Sequence, residues 1–226
     1  MRCLVTAGPT FEPLDRVRRL TNFSTGNLGT ALASHLAASG HEVTLLRSDT
    51  ATAVPPLPPV KILPFSTTAD LAGQFLAQAN DALIAIFHAA AVSDFSFGPV
   101  YERQPAGHLE VIHGGKISTR TGSLLVTLRP TPKILPNLRE WFPRAVIIGW
   151  KYEVDGLRPD VLAKAQRQLV ECTSDACVTN GPAHGPGFSL VVGETVVALS
   201  DQNALFQALT ALLEKKGAEY GPVTGP

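Results

Sequence analysis

The 226 residues carry 19 Lys+Arg against 19 Asp+Glu, a formal net charge of zero, with 45% hydrophobic and 17% charged residues. That apolar fraction suits a folded core and excludes a disordered chain, and zero net charge argues against nucleic acid as the main partner, because neutralising phosphates takes a basic excess. Cys3, Cys172 and Cys177 form neither a disulfide framework nor a zinc set, no apolar run is long enough to cross a bilayer, and the start lacks the features of a signal peptide; the expectation is a cytoplasmic protein with no membrane contact, one domain over residues 1–216 and a disordered tail over 217–226.

A short apolar strand over residues 3–7 opens the chain and stops at Gly8-Pro9. After a polar loop to Asn22, Leu28, Ala31, Leu32, His35 and Leu36 recur at helical spacing, and Gly40 ends the helix. Residues 41–46 form the next strand, so the opening is a right-handed βαβ unit with parallel strands. Pro55, Pro56, Pro58 and Pro59 stiffen the connection to a strand at 61–64 and a helix at 68–80, with Leu71, Phe75, Leu76 and Ala79 inward. The nearly unbroken apolar run at 82–90 reads as a central strand covered on both faces. Residues 95–115 show no clear period and read as a long loop. A strand at 124–128, a short helix from Pro132 to Phe142, a buried strand at 145–150, a helix at 159–172 and a strand at 175–179 follow. A hairpin of residues 190–192 and 195–199 turns at Gly193-Glu194, and an amphipathic helix at 202–215 carries Leu205, Ala208, Leu209 and Leu212 as its stripe. The expected fold is α/β, a doubly wound, mostly parallel, Rossmann-like sheet with a C-terminal β-hairpin and helix.

Five stretches carry candidate chemistry. Asn22-Phe23-Ser24-Thr25-Gly26-Asn27-Leu28-Gly29 precedes the first helix, where outward N–H groups hold phosphate oxygens; an ordinary Ser/Thr cap is the plain alternative. It is not the dinucleotide fingerprint, which follows its strand directly as G-x-G-x-x-G. Thr6-Ala7-Gly8-Pro9-Thr10-Phe11-Glu12-Pro13-Leu14-Asp15, with Arg18 and Arg19 beyond, lies at the carboxyl end of the first strand, where open α/β sheets place ligands. His88-Ala89-Ala90-Ala91-Val92-Ser93-Asp94 offers small residues against which a flat ring can lie, and a carboxylate for ribose hydroxyls or Mg²⁺; His88 by itself reads as a satisfied core histidine. Gly114-Gly115-Lys116-Ile117 places a lysine where it can swing onto a triphosphate. Pro130-Thr131-Pro132-Lys133-Ile134 and Gly149-Trp150-Lys151-Tyr152-Glu153 offer a stacking face at Trp150 and a Lys151–Glu153 charge pair. No Walker loop, serine elbow or metal-type histidine spacing is present, and His108 and His113 make no zinc site.

Taken together, Thr6 to Asp15, Asn22-x-Ser-x-Gly-x-x-Gly29, Ala90 to Asp94, Lys116-Ile117, Pro130-Thr131-Pro132 and Asp175-Ala-Cys-Val-Thr-Asn180 resemble, in order, the phosphopantothenoylcysteine synthetase (phosphopantothenate–cysteine ligase) family. The resemblance implies a free-standing synthetase domain of coenzyme A biosynthesis, working on 4′-phosphopantothenate, cysteine and a nucleoside triphosphate, CTP or ATP, with Mg²⁺, through an acyl-nucleotidyl intermediate, commonly as a homodimer. It implies Asn22 and Lys116 as catalytic, and Gly8, Ser24, Gly26, Ala89, Ala90, Asp94, Pro132, Ile134 and Trp150 as nucleotide-binding. Where the family has lysines, this chain has Asn27, Ser118, Thr119, Gln168 and Cys172. A divergent, non-catalytic nucleotide-binding protein on the same fold is the alternative reading, and a flavin or NAD oxidoreductase the least favoured one.

Overall fold

Strand β1 (Arg2–Ala7) lies between two parallel neighbours, β4 (Glu42–Ser48) and β6 (Ile84–His88), so both its edges are paired and its residues from Cys3 onward are buried. In the computed structural model, which describes residues 1–55, 59–79, 84–118 and 123–220, this strand is the pivot of an eight-stranded sheet. Outward from β1 on one side come β4 and β5 (Lys61–Phe65); on the other come β6, β10 (Val146–Tyr152), β11 (Ala176–Asn180), β12 (Phe188–Val192) and β13 (Thr195–Leu199). All pairs are parallel up to β11; β12 and β13 add antiparallel at the edge as the expected hairpin. In sheet-strand terms the parallel part has the order 3-2-1-4-5-6 of the doubly wound fold, and the strand order reverses between β1 and β6.

Alternation along the strands makes two core layers. Cys3, Val5, Val43, Leu45, Phe87 and Ile148 face helix α1 (Asn27–Ala38), through Leu32 and Leu36, and helix α5 (Gln202–Tyr220), through Leu205, Leu209 and Leu213. Leu4, Leu46, Ile86 and Ile147 face Leu71 and Phe75 of helix α2 (Thr68–Gln78) and Leu138 and Phe142 around the short helix α3 (Leu138–Trp141). Helix α4 (Arg158–Glu171) packs Ala165 and Leu169 on Cys177 and Val191. Helix α1 lies close on β1 because Gly29 has no side chain: a Cβ there would meet the Thr6 carbonyl oxygen at 2.5 Å.

Several expectations are corrected. The polar loop before Asn22 contains a hairpin, β2 (Phe11–Pro13) with β3 (Arg19–Thr21). Residues 95–115 are no aperiodic loop: β7 (Phe95–Arg103) pairs antiparallel with β8 (Leu109–Ile112) and with β9 (Leu124–Pro130) in a separate three-stranded sheet. The period is hidden because the register shifts between Phe97 and Val100, where Gly98-Pro99 interrupt the alternation. Leu76 of α2 and Ala79 just past its end are exposed, because the layer below takes Leu71, Ala72 and Phe75. Gly217 and Ala218, expected in the tail, continue α5, whose bounds run to Tyr220. Pro56, Pro58, Asn80, Ala82, Leu83, Thr119 and residues 221–226 lie outside the described residues.

Candidate functional site

The site is built on the carboxyl ends of β1, β6 and β10. The ladder between β1 and β6 runs on past both strands: Ala91 N–H donates to Gly8 O and Thr10 N–H to Ala91 O, each at 3.1 Å. Asn22 joins this seam, its amide nitrogen donating to the Ala91 and Val92 carbonyls at 3.2 and 3.3 Å. Ser93 is fixed from below, its N–H donating to Thr10 Oγ1 at 2.8 Å. Gly8 and Gly26 meet on the α1 side of the seam. Both have positive φ, +91° and +80°, and a Cβ on Gly26 would lie 3.0 Å from Gly8 N, so close backbone approach and left-handed geometry both favour glycine here.

At the start of α1, Gly26 is the N-cap and no side chain caps the helix; Thr25 Oγ1 only takes the Asn27 N–H at 3.3 Å. Ser24 is therefore not an ordinary cap. The helix starts with free backbone donors beside half-buried Ser24, which is an anion-accepting arrangement.

On the opposite face of the sheet a cleft of about 580 Å³ opens between β6 and β10. His88, Ala90 and Val92 form one wall, Lys133, Ile134, Leu135 and Pro136 another. Trp150, Lys151 and Glu153 come from the end of β10, and Lys164, Arg167, Gln168, Glu171 and Cys172 from α4. Of the expected nucleotide residues, Ala90, Asp94, Ile134 and Trp150 line it; Gly8, Ser24 and Gly26 gather at the start of α1; Ala89 and Pro132 flank the lining without joining it. Trp150 serves both purposes, packing on the core and walling the cleft, and its buried indole N–H has no partner among the described residues.

The charges are paired differently from the sequence expectation. Glu153 bridges Lys164 at 2.5 Å, not Lys151. The reason is local: Glu153 lies just past the end of β10, and α4 delivers Lys164 directly onto it, while the 180–183 turn holds it through Glu153 N–H to Asn180 O and Ala183 N–H to Glu153 O, both 3.1 Å. Asp94 pairs with Lys133 at the mouth of the cleft, both side chains being exposed. Such a pair contributes little by itself, so Asp94 is free to exchange partners. Lys164, Arg167 and Glu171 were missed as cleft residues; their three- and four-residue spacing on α4 was the available signal.

Lys116 is exposed and does not line the cleft. Its segment is anchored to the β2–β3 hairpin rather than loose. Arg16 N–H donates to Gly115 O at 3.0 Å, Ile117 N–H donates to Asp15 Oδ2 at 3.1 Å, and the Arg18 guanidinium donates to Ile117 O at 2.8 Å. Asp15 also accepts from Arg18 at 2.5 Å and from the Val17 and Arg18 N–H groups at 2.8 Å each. Arg18 first, then these backbone donors, hold the Asp15 carboxyl well below the usual carboxylate range.

Among the described residues no group of three His, Cys, Asp or Glu side chains is placed to hold a metal ion, and no helix is long and apolar enough to cross a membrane. Of the three carboxylates that line the cleft, Glu153 is held by Lys164, and Asp94 and Glu171 fit a Mg²⁺ that arrives on ligand phosphates, since that ion commonly takes one or two carboxylates and completes its shell with phosphate and water.

The profile of the DNA/pantothenate metabolism flavoprotein C-terminal domain family matches residues 1–216. The coenzyme A biosynthesis bifunctional protein CoaBC of Thermococcus kodakarensis is 31% identical over 180 residues, 79% of this chain and 41% of its own length. That of Bacillus subtilis is 30% identical over 186 residues, 82% of this chain and 41% of its own. A cysteine/cysteine sulfinic acid decarboxylase from an unknown prokaryotic organism is 30% identical over 180 residues, 79% of this chain and 45% of its own. The chain thus spans less than half the length of these relatives. The DNA/pantothenate metabolism flavoprotein from Streptococcus pneumoniae superposes with a TM-score of 0.84 at 25% identity, over 96% of this chain and 100% of that one. A Cab2 mutant in complex with phosphopantothenate-cysteine shares the fold, with a TM-score of 0.74 at 21% identity over 96% and 88%. With its profile matched from end to end of the sheet, this chain belongs to the DNA/pantothenate metabolism flavoprotein C-terminal domain family.

Proposed function

We propose that the chain ligates 4′-phosphopantothenate to cysteine, driven by CTP or ATP, as a homodimer in the cytoplasm. The observation that carries the reading is the gathering of Asn22, Ser24, Gly26, Ala90, Asp94 and Trp150 around the carboxyl ends of β1, β6 and β10 in a member of this family. Relatives named for coenzyme A biosynthesis support it. The three buried, free thiols suit a reducing compartment.

In this reading a carboxylate oxygen of phosphopantothenate attacks the α-phosphorus, and pyrophosphate leaves. The cysteine amine then attacks the acyl carbon, loses a proton and expels the nucleoside monophosphate. Activation is needed because a carboxylate is a poor electrophile. Ser24 and the backbone donors at Gly8 and Gly26 receive phosphate oxygens; Ala89, Ala90, Pro132, Ile134 and Trp150 border the base; Asp94 turns from Lys133 to a ribose hydroxyl. Asn22 exchanges one of its two carbonyl partners for the acyl oxygen as charge builds there. Asp94 and Glu171 would hold a Mg²⁺ carried on the triphosphate, which would supply screening of its charge.

Lys116 acts on the leaving pyrophosphate once its segment lifts from the hairpin. Losing one such electrostatic contact costs about 3 kcal/mol, roughly a hundredfold in rate. The test is pyrophosphate release from protein, Mg²⁺, phosphopantothenate and CTP or ATP. Wild type should release it, and Lys116→Gln should release it about a hundredfold more slowly at unchanged nucleotide affinity. No release with either nucleotide leaves the non-catalytic nucleotide-binding reading in its place.

A further inference from the structure

His88 ends β6 at the floor of the cleft, 93% buried by its 7% residual exposure, and the proposed ligase chemistry gives it no task. Its ring is clamped on two sides. Phe75 packs on it edge-on, with centroids 5.5 Å apart, and Thr6 Oγ1 lies 3.1 Å from Nδ1. Thr6 is wholly buried and its hydroxyl already accepts the Ala90 N–H at 2.9 Å. Its one hydrogen needs an acceptor, and among the described residues Nδ1 is the partner in reach. Burial pushes His88 down to about 4, so the ring is neutral near pH 7. A neutral imidazole that accepts at Nδ1 carries its proton on Nε2. Nε2 has no protein partner among the described residues and is not one of the sealed, unpartnered atoms, so this N–H opens on the cleft its ring lines.

We infer that His88 is a specificity residue, donating from Nε2 to a hydrogen-bond acceptor on the edge of a flat, uncharged heteroaromatic ring, the nucleobase of the proposed triphosphate. The surroundings separate this from a phosphate contact. Ala90, Val92, Ile134 and Leu135 bring apolar side chains to the lining that His88 shares; of the four lysines and arginines there, Lys133 is paired with Asp94 and Lys164 with Glu153, and Lys151 and Arg167 belong to β10 and α4. A neutral donor in an apolar recess favours a carbonyl or ring nitrogen and disfavours an anion. The base therefore presents an acceptor atom to His88 and turns its exocyclic amine away. This rests on the nucleotide reading above, and the test separates the two.

In ¹⁵N-histidine-labelled protein, NMR should find His88 as the Nε2–H tautomer, and saturating Mg²⁺–CTP or Mg²⁺–ATP should shift its Nε2 resonance. His88→Phe keeps the ring packing and loses the donor; calorimetry should show about tenfold weaker binding of the nucleotide that wild type prefers. His88→Gln, with an amide N–H in its place, should recover part of that loss. An Nδ1–H tautomer, an unshifted Nε2 in saturated wild type, or wild-type affinity in a folded His88→Phe each overturns the inference and leaves the nucleotide reading intact. If His88→Phe does not fold, the wild-type resonances decide. Wild type that binds neither nucleotide overturns both.

Discussion

The Thr6–His88 contact ties the two central strands together through side chains as well as backbone, and it has a consequence for stability. His88 is held at about 4 in the fold against 6.5 when unfolded, by burial. Between these values the unfolded chain binds a proton that the folded chain refuses, so stability rises with pH across that window and is lost as pH falls from 6.5 towards 4. The full effect is on the order of 3 kcal/mol. His41, lowered first by burial and then by the N-terminal ammonium, adds a slope of the same sign. Urea unfolding at pH 7 and pH 4.5 should therefore show a smaller loss of stability on acidification in His88→Gln than in wild type; equal losses would mean that burial does not hold the ring neutral in the fold. The sequence marks His88 as a core histidine, which it is, but alternation alone cannot reveal that its ring also borders a cleft, because that depends on which helix packs opposite.

The β2–β3 hairpin is the element least legible in the sequence, since three-residue strands leave too few positions to display a period. Yet it sets the conformation of the lysine segment, through Asp15. Replacing this carboxylate removes the acceptor of the Ile117 N–H and the partner of Arg18 together. In Asp15→Ala, amide exchange at residues 115–117 should quicken at least tenfold by mass spectrometry while the β1 and β6 amides stay protected. Unchanged exchange at Ile117 would show that packing of its buried side chain, rather than Asp15, holds the segment. By contrast, α1 was legible from its helical apolar spacing and β6 from its nearly unbroken apolar run. In the three-stranded sheet β9 was legible as a strand at 124–128, but β7 and β8 were not, since β8 is largely exposed and the bulge at Phe97/Val100 breaks the alternation of β7.

At the scale of the whole molecule, the alternation of strands and helices together with the right-handed crossover rule made the doubly wound, mostly parallel sheet readable in advance, while the order of its strands came from the structure. The cleft was not, because it joins residues 88–94, 133–136, 150–153 and one face of α4, which no local pattern connects. The proposed homodimer has a surface candidate in Phe23, fully exposed between Asn22 and Ser24. Sedimentation at about 10 μM should find wild type as a dimer and Phe23→Asp shifted to monomer, since charging an apolar contact costs several kcal/mol; monomeric wild type would exclude the dimer. The hydrogen-bonded seam from Gly8 to Asn22 and Ala91 carries one more consequence. In an open doubly wound sheet the gap between the first and fourth strands is a doorway; here it is bolted shut, and the opening is moved one strand along. A single ligand that touches both the start of α1 and the cleft must arch over Ala91 and Val92 like a saddle, so the shape of this ridge, more than the width of the cleft, dictates how sharply that ligand bends.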